Sequence, residues 1–219
     1  MYSVSKQYNK FYAQCDRCQL LFNKINLQNI DDKERCIFLT GILNVLWQTW
    51  NGFWRVYWLA FLYGGKDLSN KKIPFAILPK TTNEIDALSY FLTHDRLRSS
   101  PLRAYYQEPT WGDIDFIKKC AVTANNIIPT IKYGDPVLNA FSVVGNVPKH
   151  FQTVRNAAVH LCSHGVMDVK RTILQHYLIT NINYPTDIAY ATEISTSKQA
   201  MRLWLDDLKT VIEITSITS

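Results

Sequence analysis

The stretch Cys36–Tyr63, CIFLTGILNVLWQTWNGFWRVYWLAFLY, decides the fold class of this chain. It is the most apolar part of the sequence, contains no proline, and is as long as a membrane span. Asn44, Gln48, Thr49, Asn51 and Arg55 fall near its middle, however. An arginine at mid-bilayer costs about 2.5–3.5 kcal/mol on insertion scales. Four tryptophans, at 47, 50, 54 and 58, are spread through the segment and do not form belts at its two ends. A long helix buried on most sides, at the centre of a bundle, fits this pattern better. Asp31-Asp32-Lys33-Glu34 marks its start, with acidic residues where the helix dipole favours them, and Gly64-Gly65 marks its stop. The expected helix therefore runs from about 32 to 63.

Working outward, residues 7–28 read as a helix, because Phe11, Cys15, Cys18, Phe22 and Ile25 recur at three- and four-residue steps. Residues 64–82 form a connector. Asn83 is placed to cap a short helix reaching toward Leu97, with Ile85, Leu88, Phe91 and Leu92 on one face. Pro101, Pro109 and Trp111-Gly112 break the chain over 99–112, and 113–126 returns to a helical pattern. Tyr133-Gly134-Asp135-Pro136 and Gly145-Asn146 point to loops and short turns from Pro129 to Pro148. A helix is expected from Lys149 to Ser163 with Gly165 as its stop, and another from about Val166 to Thr180. After Tyr184-Pro185 the pattern is ambiguous, until a last helix over about 196–214, capped by Thr196 or Ser197. The expectation is one all-α domain over 1–219, with its core in about 7–180 and irregular connectors.

Composition agrees. Hydrophobic residues make up 47% of 219, enough for a packed core and too many for wholesale disorder. Eight glycines and eight prolines are few for a turn-rich β protein of this size. The net charge of +6 suits an anionic partner such as nucleic acid. The five cysteines are an odd number, and Met1–Lys6 lacks the pattern of a secretion signal, so a reducing cytoplasmic setting is expected. Cys15-Asp16-Arg17-Cys18 is a single CxxC without a second pair or an adjacent histidine; it reads as two thiols on a helix face, not as a metal site.

The residues best suited to chemistry are Arg155-Asn156-Ala157-Ala158-Val159-His160. On a helix Asn156, His160 and His164 lie four apart and share a face, and the long Arg155 side chain can reach a target near His160. A guanidinium binds phosphate oxygens in bidentate fashion and stabilises developing charge, while an imidazole relays protons near neutral pH. That pair can cleave a phosphodiester without a metal, and no carboxylate cluster of the two-metal kind stands in the sequence. Ala157 and Ala158 are small enough for another helix to come close. An arginine and a histidine on one helix also recur by chance in many proteins.

This hexapeptide resembles the R-x4-6-H signature of the HEPN superfamily, in which a polar residue follows the arginine. Leu46-Trp47-Gln48-Thr49-Trp50-Asn51-Gly52-Phe53 resembles the long second helix of bacterial members. The resemblance implies a HEPN-like helical bundle and a metal-independent endoribonuclease, of the kind found among toxins and antiviral-defence effectors, working without cofactor. It implies that Arg155 stabilises the phosphate, His160 transfers protons and Asn156 orients one of them. It further implies RNA as substrate, a homodimer with paired motifs across a two-fold axis, and an antitoxin or defence partner protein; no membrane is involved. Many relatives continue His-Gly at the motif; here Leu161 follows His160, and His-Gly falls at 164–165, leaving His164 as a supporting or core residue. The alternative reading is a HEPN-like binding module that does not cut.

Arg96, Arg98 and Arg103, with Tyr105 and Tyr106, mix basic and aromatic groups as an RNA-contacting loop would, though a solvated connector explains them as well. His94-Asp95 is a local pair without a nucleophile beside it. No phosphate-binding P-loop, GxSxG elbow or dinucleotide fingerprint is present.

Overall fold

The computed structural model describes residues 2–68, 72–73, 77–79, 81–160 and 163–216. Among these the architecture is all-α, with eight α-helices: α1 (Val4–Asn26), α2 (Asp32–Tyr63), α3 (Glu84–Thr93), α4 (Ile114–Ile127), α5 (Asp135–Val144), α6 (Val147–His160), α7 (Ser163–Thr172) and α8 (Ala200–Ser216). Two-residue strands, β1 (Tyr2–Ser3) and β2 (Gly65–Lys66), pair in parallel. Short 3-10 turns complete the connectors. No helix among the described residues is long and apolar enough to cross a membrane.

The fold-deciding helix spans the residues that its sequence indicates. Asp31 accepts the backbone N–H of Glu34 at 2.7 Å, and its own N–H reaches the Glu34 carboxylate, a reciprocal cap that uses two otherwise orphaned donors. Gly64, at φ +71°, ends the helix in the left-handed conformation that glycine adopts without strain. Gly41, exposed inside the helix, costs about 0.5–1 kcal/mol relative to alanine, and a Cβ there would meet nothing within 4 Å.

The chain forms two compact units, each described by itself. The first comprises Met1–Phe11, Trp50–Val143 and Thr210–Ser219. Its core is aromatic: Trp54 stacks on Phe141 at 6.2 Å, Trp58 on Phe91 at 5.4 Å and Phe61 on Tyr133 at 4.8 Å. Trp50 donates its indole N–H to the Gly112 carbonyl at 2.9 Å, while Asn51 accepts the Gly112 N–H at 2.6 Å. Two residues of the 46–53 stretch therefore clamp the connector ahead of α4. Arg55 forms a forked pair with Glu108 (2.7 and 2.9 Å) and a further bond to Glu84 at 2.8 Å. The cation that argued against a bilayer is neutralised by two carboxylates.

The second unit comprises Tyr12–Thr49 and Val144–Lys209. Phe151 lies fully buried between Trp47 and Trp204, each ring 6.1 Å away. Cys15 and Cys18 are fully buried and unlinked, and burial raises both thiols above their ordinary range, as two packed thiols would be.

Several elements differ from the sequence reading. The 129–148 stretch is not loops throughout: α5 occupies ten residues of it and buries Val137, Ala140 and Phe141. The turn formers lie at its edges, and Gly145 ends α5 at φ +64°. Gly165 is not a stop but lies inside α7. The next helix ends at Thr172 and not near Thr180, since Leu178 donates to the Thr192 carbonyl at 2.7 Å and Tyr177 bridges to Glu193. Neither Thr196 nor Ser197 caps α8. The Glu193 carboxylate holds Ser195 and Thr196 in a turn, Ser197 sits at φ +57°, and the helix begins at Ala200. The helix after Asn83 stops at Thr93, short of Leu97, with its cap on Asn83 as the sequence suggests.

Candidate functional site

Arg155 lies on the penultimate turn of α6, half-buried. Its guanidinium donates to Asn156 Oδ1 at 3.0 Å and to Asn44 Oδ1 of α2 at 2.5 Å, and its centre lies 5.4 Å from the Trp47 ring. Its Nε is buried without a partner. Burial alone lowers its proton affinity below the ordinary value, though a guanidinium stays charged at neutral pH. Among the described residues no carboxylate pairs with it. Arg55, with two carboxylates, is the contrast: there the charge is cancelled, here it is positioned by neutral amides and a ring and left available.

The structure thus joins Arg155 to Asn156 and adds Asn44 and Trp47, which sequence reasoning did not assign to the site. The signal was present: Asn44 is one of the few polar residues in the apolar part of α2, and a half-buried amide there needs a partner. His160 is exposed as the last residue of α6, and no hydrogen bond or ion pair links it to Arg155 among the described residues. Ala157 and Ala158 are buried in the folded chain, so the small-residue face read as an approach surface for another helix is already packed. His164 is exposed on α7 and is not a core residue. Leu161 and Cys162 lie outside the described residues.

The three connector arginines do not act as one group. Exposed Arg96, at φ +57°, lines an open cavity of about 530 Å³ with Lys118 and Lys119. Arg98 and Arg103 line a different one of about 240 Å³. Arg98 is bound to the Gln107 carbonyl, and the Arg103 N–H donates to the Gln107 side chain at 2.8 Å. Both therefore help to shape the connector. His94 and Asp95 approach to 3.9 Å.

A second polar cluster went unread in the sequence. Trp204 donates to the Tyr177 hydroxyl at 2.9 Å, and that hydroxyl meets His150 Nδ1 at 3.2 Å, with the His176 ring 4.7 Å from His150. A hydroxyl that accepts from indole has its proton free for His150 Nδ1, which favours the neutral ring. Burial, aided by the charge of His176 and opposed by Glu193, lowers His150 from 6.5 to about 4. Nearby Asp207 is raised to about 6 by burial and then by Asp206, with Lys198 opposing and Glu193 adding. Among the described residues no three His, Cys, Asp or Glu converge as a metal site.

These two groups set opposed pH dependences. Between pH 6.5 and about 4 the unfolded chain protonates its histidine while folded His150 stays neutral, so stability falls on acidification, by about 2–3 kcal/mol in full. Asp207 takes its proton in the folded state first, so its charge destabilises above about pH 6 and the cost fades toward pH 4. Asp207→Asn should therefore gain about 1 kcal/mol at pH 7.5, after discounting for partial exposure, and almost nothing near pH 3, below the unfolded value of 3.8. Urea unfolding at the two pH values checks this; equal gains at both would assign the effect to something other than the carboxylate charge.

No family model matches this chain, and neither do the curated proteins or the solved structures with which it was compared.

Proposed function

We propose that this protein is a metal-independent endoribonuclease of HEPN type, a toxin or antiviral-defence effector acting as a homodimer. The observation that carries this reading is the Arg155 guanidinium, held by two asparagines against Trp47 with no carboxylate partner among the described residues, a charge prepared for a phosphate. In the proposed reaction the 2′-hydroxyl of RNA attacks the adjacent phosphorus and gives its proton to His160. The bond from phosphorus to the 5′ oxygen breaks, that oxygen is protonated by the second protomer's His160, and a 2′,3′-cyclic phosphate remains. Asn156 acts by orienting Arg155. No cofactor enters, and an antitoxin or defence partner would restrain the activity.

A defined oligoribonucleotide incubated with the protein in EDTA tests the reading. Cleavage with 2′,3′-cyclic phosphate and 5′-hydroxyl ends is expected, and His160→Ala should slow it by about 100-fold or more. Products lacking the cyclic end, or cleavage that EDTA abolishes, would refute it. A second reading, a HEPN-like module that binds nucleic acid or another partner without cutting it, draws on the exposed His160, which no hydrogen bond or ion pair orients among the described residues. It predicts Arg155-dependent binding of intact RNA.

A further inference from the structure

The second unit carries an open groove of about 700 Å³ between α1 and α2. Its walls are Leu21 and Ile25 from α1 and Phe38, Ile42 and Val45 from α2, and Leu21, Phe38 and Val45 are 43%, 50% and 48% exposed. Such side chains in one patch lose the stabilisation that burial would give, and patches of this kind mark docking sites. The α1 lining runs from Gln14 to Ile25 at three- and four-residue steps, about 17 Å of helix at 1.5 Å per residue. Phe38, Gly41, Ile42 and Val45 continue the same periodicity on α2. At Gly41 the floor is open: a Cβ there would meet nothing, so the groove keeps room for a close backbone approach.

The charges choose the occupant. Arg17 and Lys24 line the groove, no acidic residue does, and neither cation has an ion-pair partner among the described residues. The neighbouring Asp16 is bound to Lys209 at 2.6 Å. A second copy of this chain would bring the same two cations against themselves.

We propose that this groove docks an amphipathic helix of three to four turns from another protein, with an apolar stripe against Gly41 and acidic residues toward Arg17 and Lys24. This is the helix-in-groove mode, with affinity from the stripe and selectivity from the flanks. It rests on no step of the ribonuclease reading, so either can fail without the other.

The test uses two labelled helical peptides of about fifteen residues, with the same leucine stripe and either glutamate or lysine flanks, titrated by fluorescence anisotropy into the full chain. The glutamate peptide should bind at least tenfold tighter, with affinity falling as salt rises. Gly41→Trp should fill the groove and lose that binding more than tenfold without lowering the unfolding midpoint. Arg17→Glu with Lys24→Glu should reverse the preference. Should Gly41→Trp fail to fold, Leu21→Ser, at an exposed position, takes its place. Equal binding of both peptides, no binding, or binding unaffected by the groove variants overturns the proposal. So does a dimer, seen by light scattering, that Gly41→Trp dissociates, since the occupant is then a second copy.

Discussion

Arg155→Ala should reduce RNA cleavage by at least about 100-fold, the scale on which one preorganised group facing developing charge acts. Fold integrity must be read alongside, because Arg155 also covers Trp47 and satisfies Asn44. Circular dichroism and the unfolding midpoint of the variant provide that reading. Arg155→Lys keeps the charge but cannot hold Asn44, Asn156 and a phosphate together, so it should restore only a small part of the rate. In single-turnover assays a well-folded Arg155→Ala protein that cuts RNA at the parental rate would end the ribonuclease proposal. One that still binds RNA but has lost cleavage would place the guanidinium at the step where charge develops.

The second large effect is on stability. Gly134→Ala should destabilise the protein by about 3–5 kcal/mol, because its Cβ would lie 1.9 Å from the Ala121 carbonyl oxygen and 2.5 Å from the carbonyl carbon. Those are backbone atoms of α4 and cannot rotate away. The Gly134 N–H is also held by Asn125 at 2.7 Å, and Asn125 in turn donates to Asp135 at 2.7 Å, so the start of α5 is tied at this point. Gly52→Ala is the matched control, since nothing lies within 4 Å of its Cβ. It should stabilise α2 by about 0.5–1 kcal/mol. Denaturant midpoints of the two variants moving in opposite directions would bear the argument out; a mild Gly134→Ala would mean that α5 can slide on α4.

The difference between these two glycines shows where sequence reading stops. Both are single glycines beside aromatic residues, and Gly134 in Tyr133-Gly134-Asp135-Pro136 carries every local mark of a turn. Local marks report backbone preference alone. They cannot report that another helix passes within van der Waals distance, which is the property that makes Gly134 irreplaceable. Gly165 likewise carries the local mark of a helix stop and yet lies inside α7.

The candidate site divides in the same way. That Arg155, Asn156 and His160 share one helix was legible, because helical spacing follows from geometry. Asn44 was visible only as a polar interruption in α2, and its partner, 111 residues away, was not. His150 was unreadable in sequence, since its neutral state depends on Tyr177 and Trp204 arriving from other elements.

By itself the sequence determined the long helix over 32–63, its acidic start and glycine stop, and the all-α class. Those depend on period, capping and burial of a continuous apolar run, which act within a few residues of one another. Only the tertiary structure decided which of two arginines is paired with carboxylates and which, among the described residues, is held by neutral amides and a ring. It also buried Ala157 and Ala158 and left the groove over Gly41 open. Those outcomes depend on which distant groups meet, and charge compensation, close packing and solvent exposure are properties of that meeting, not of any one segment.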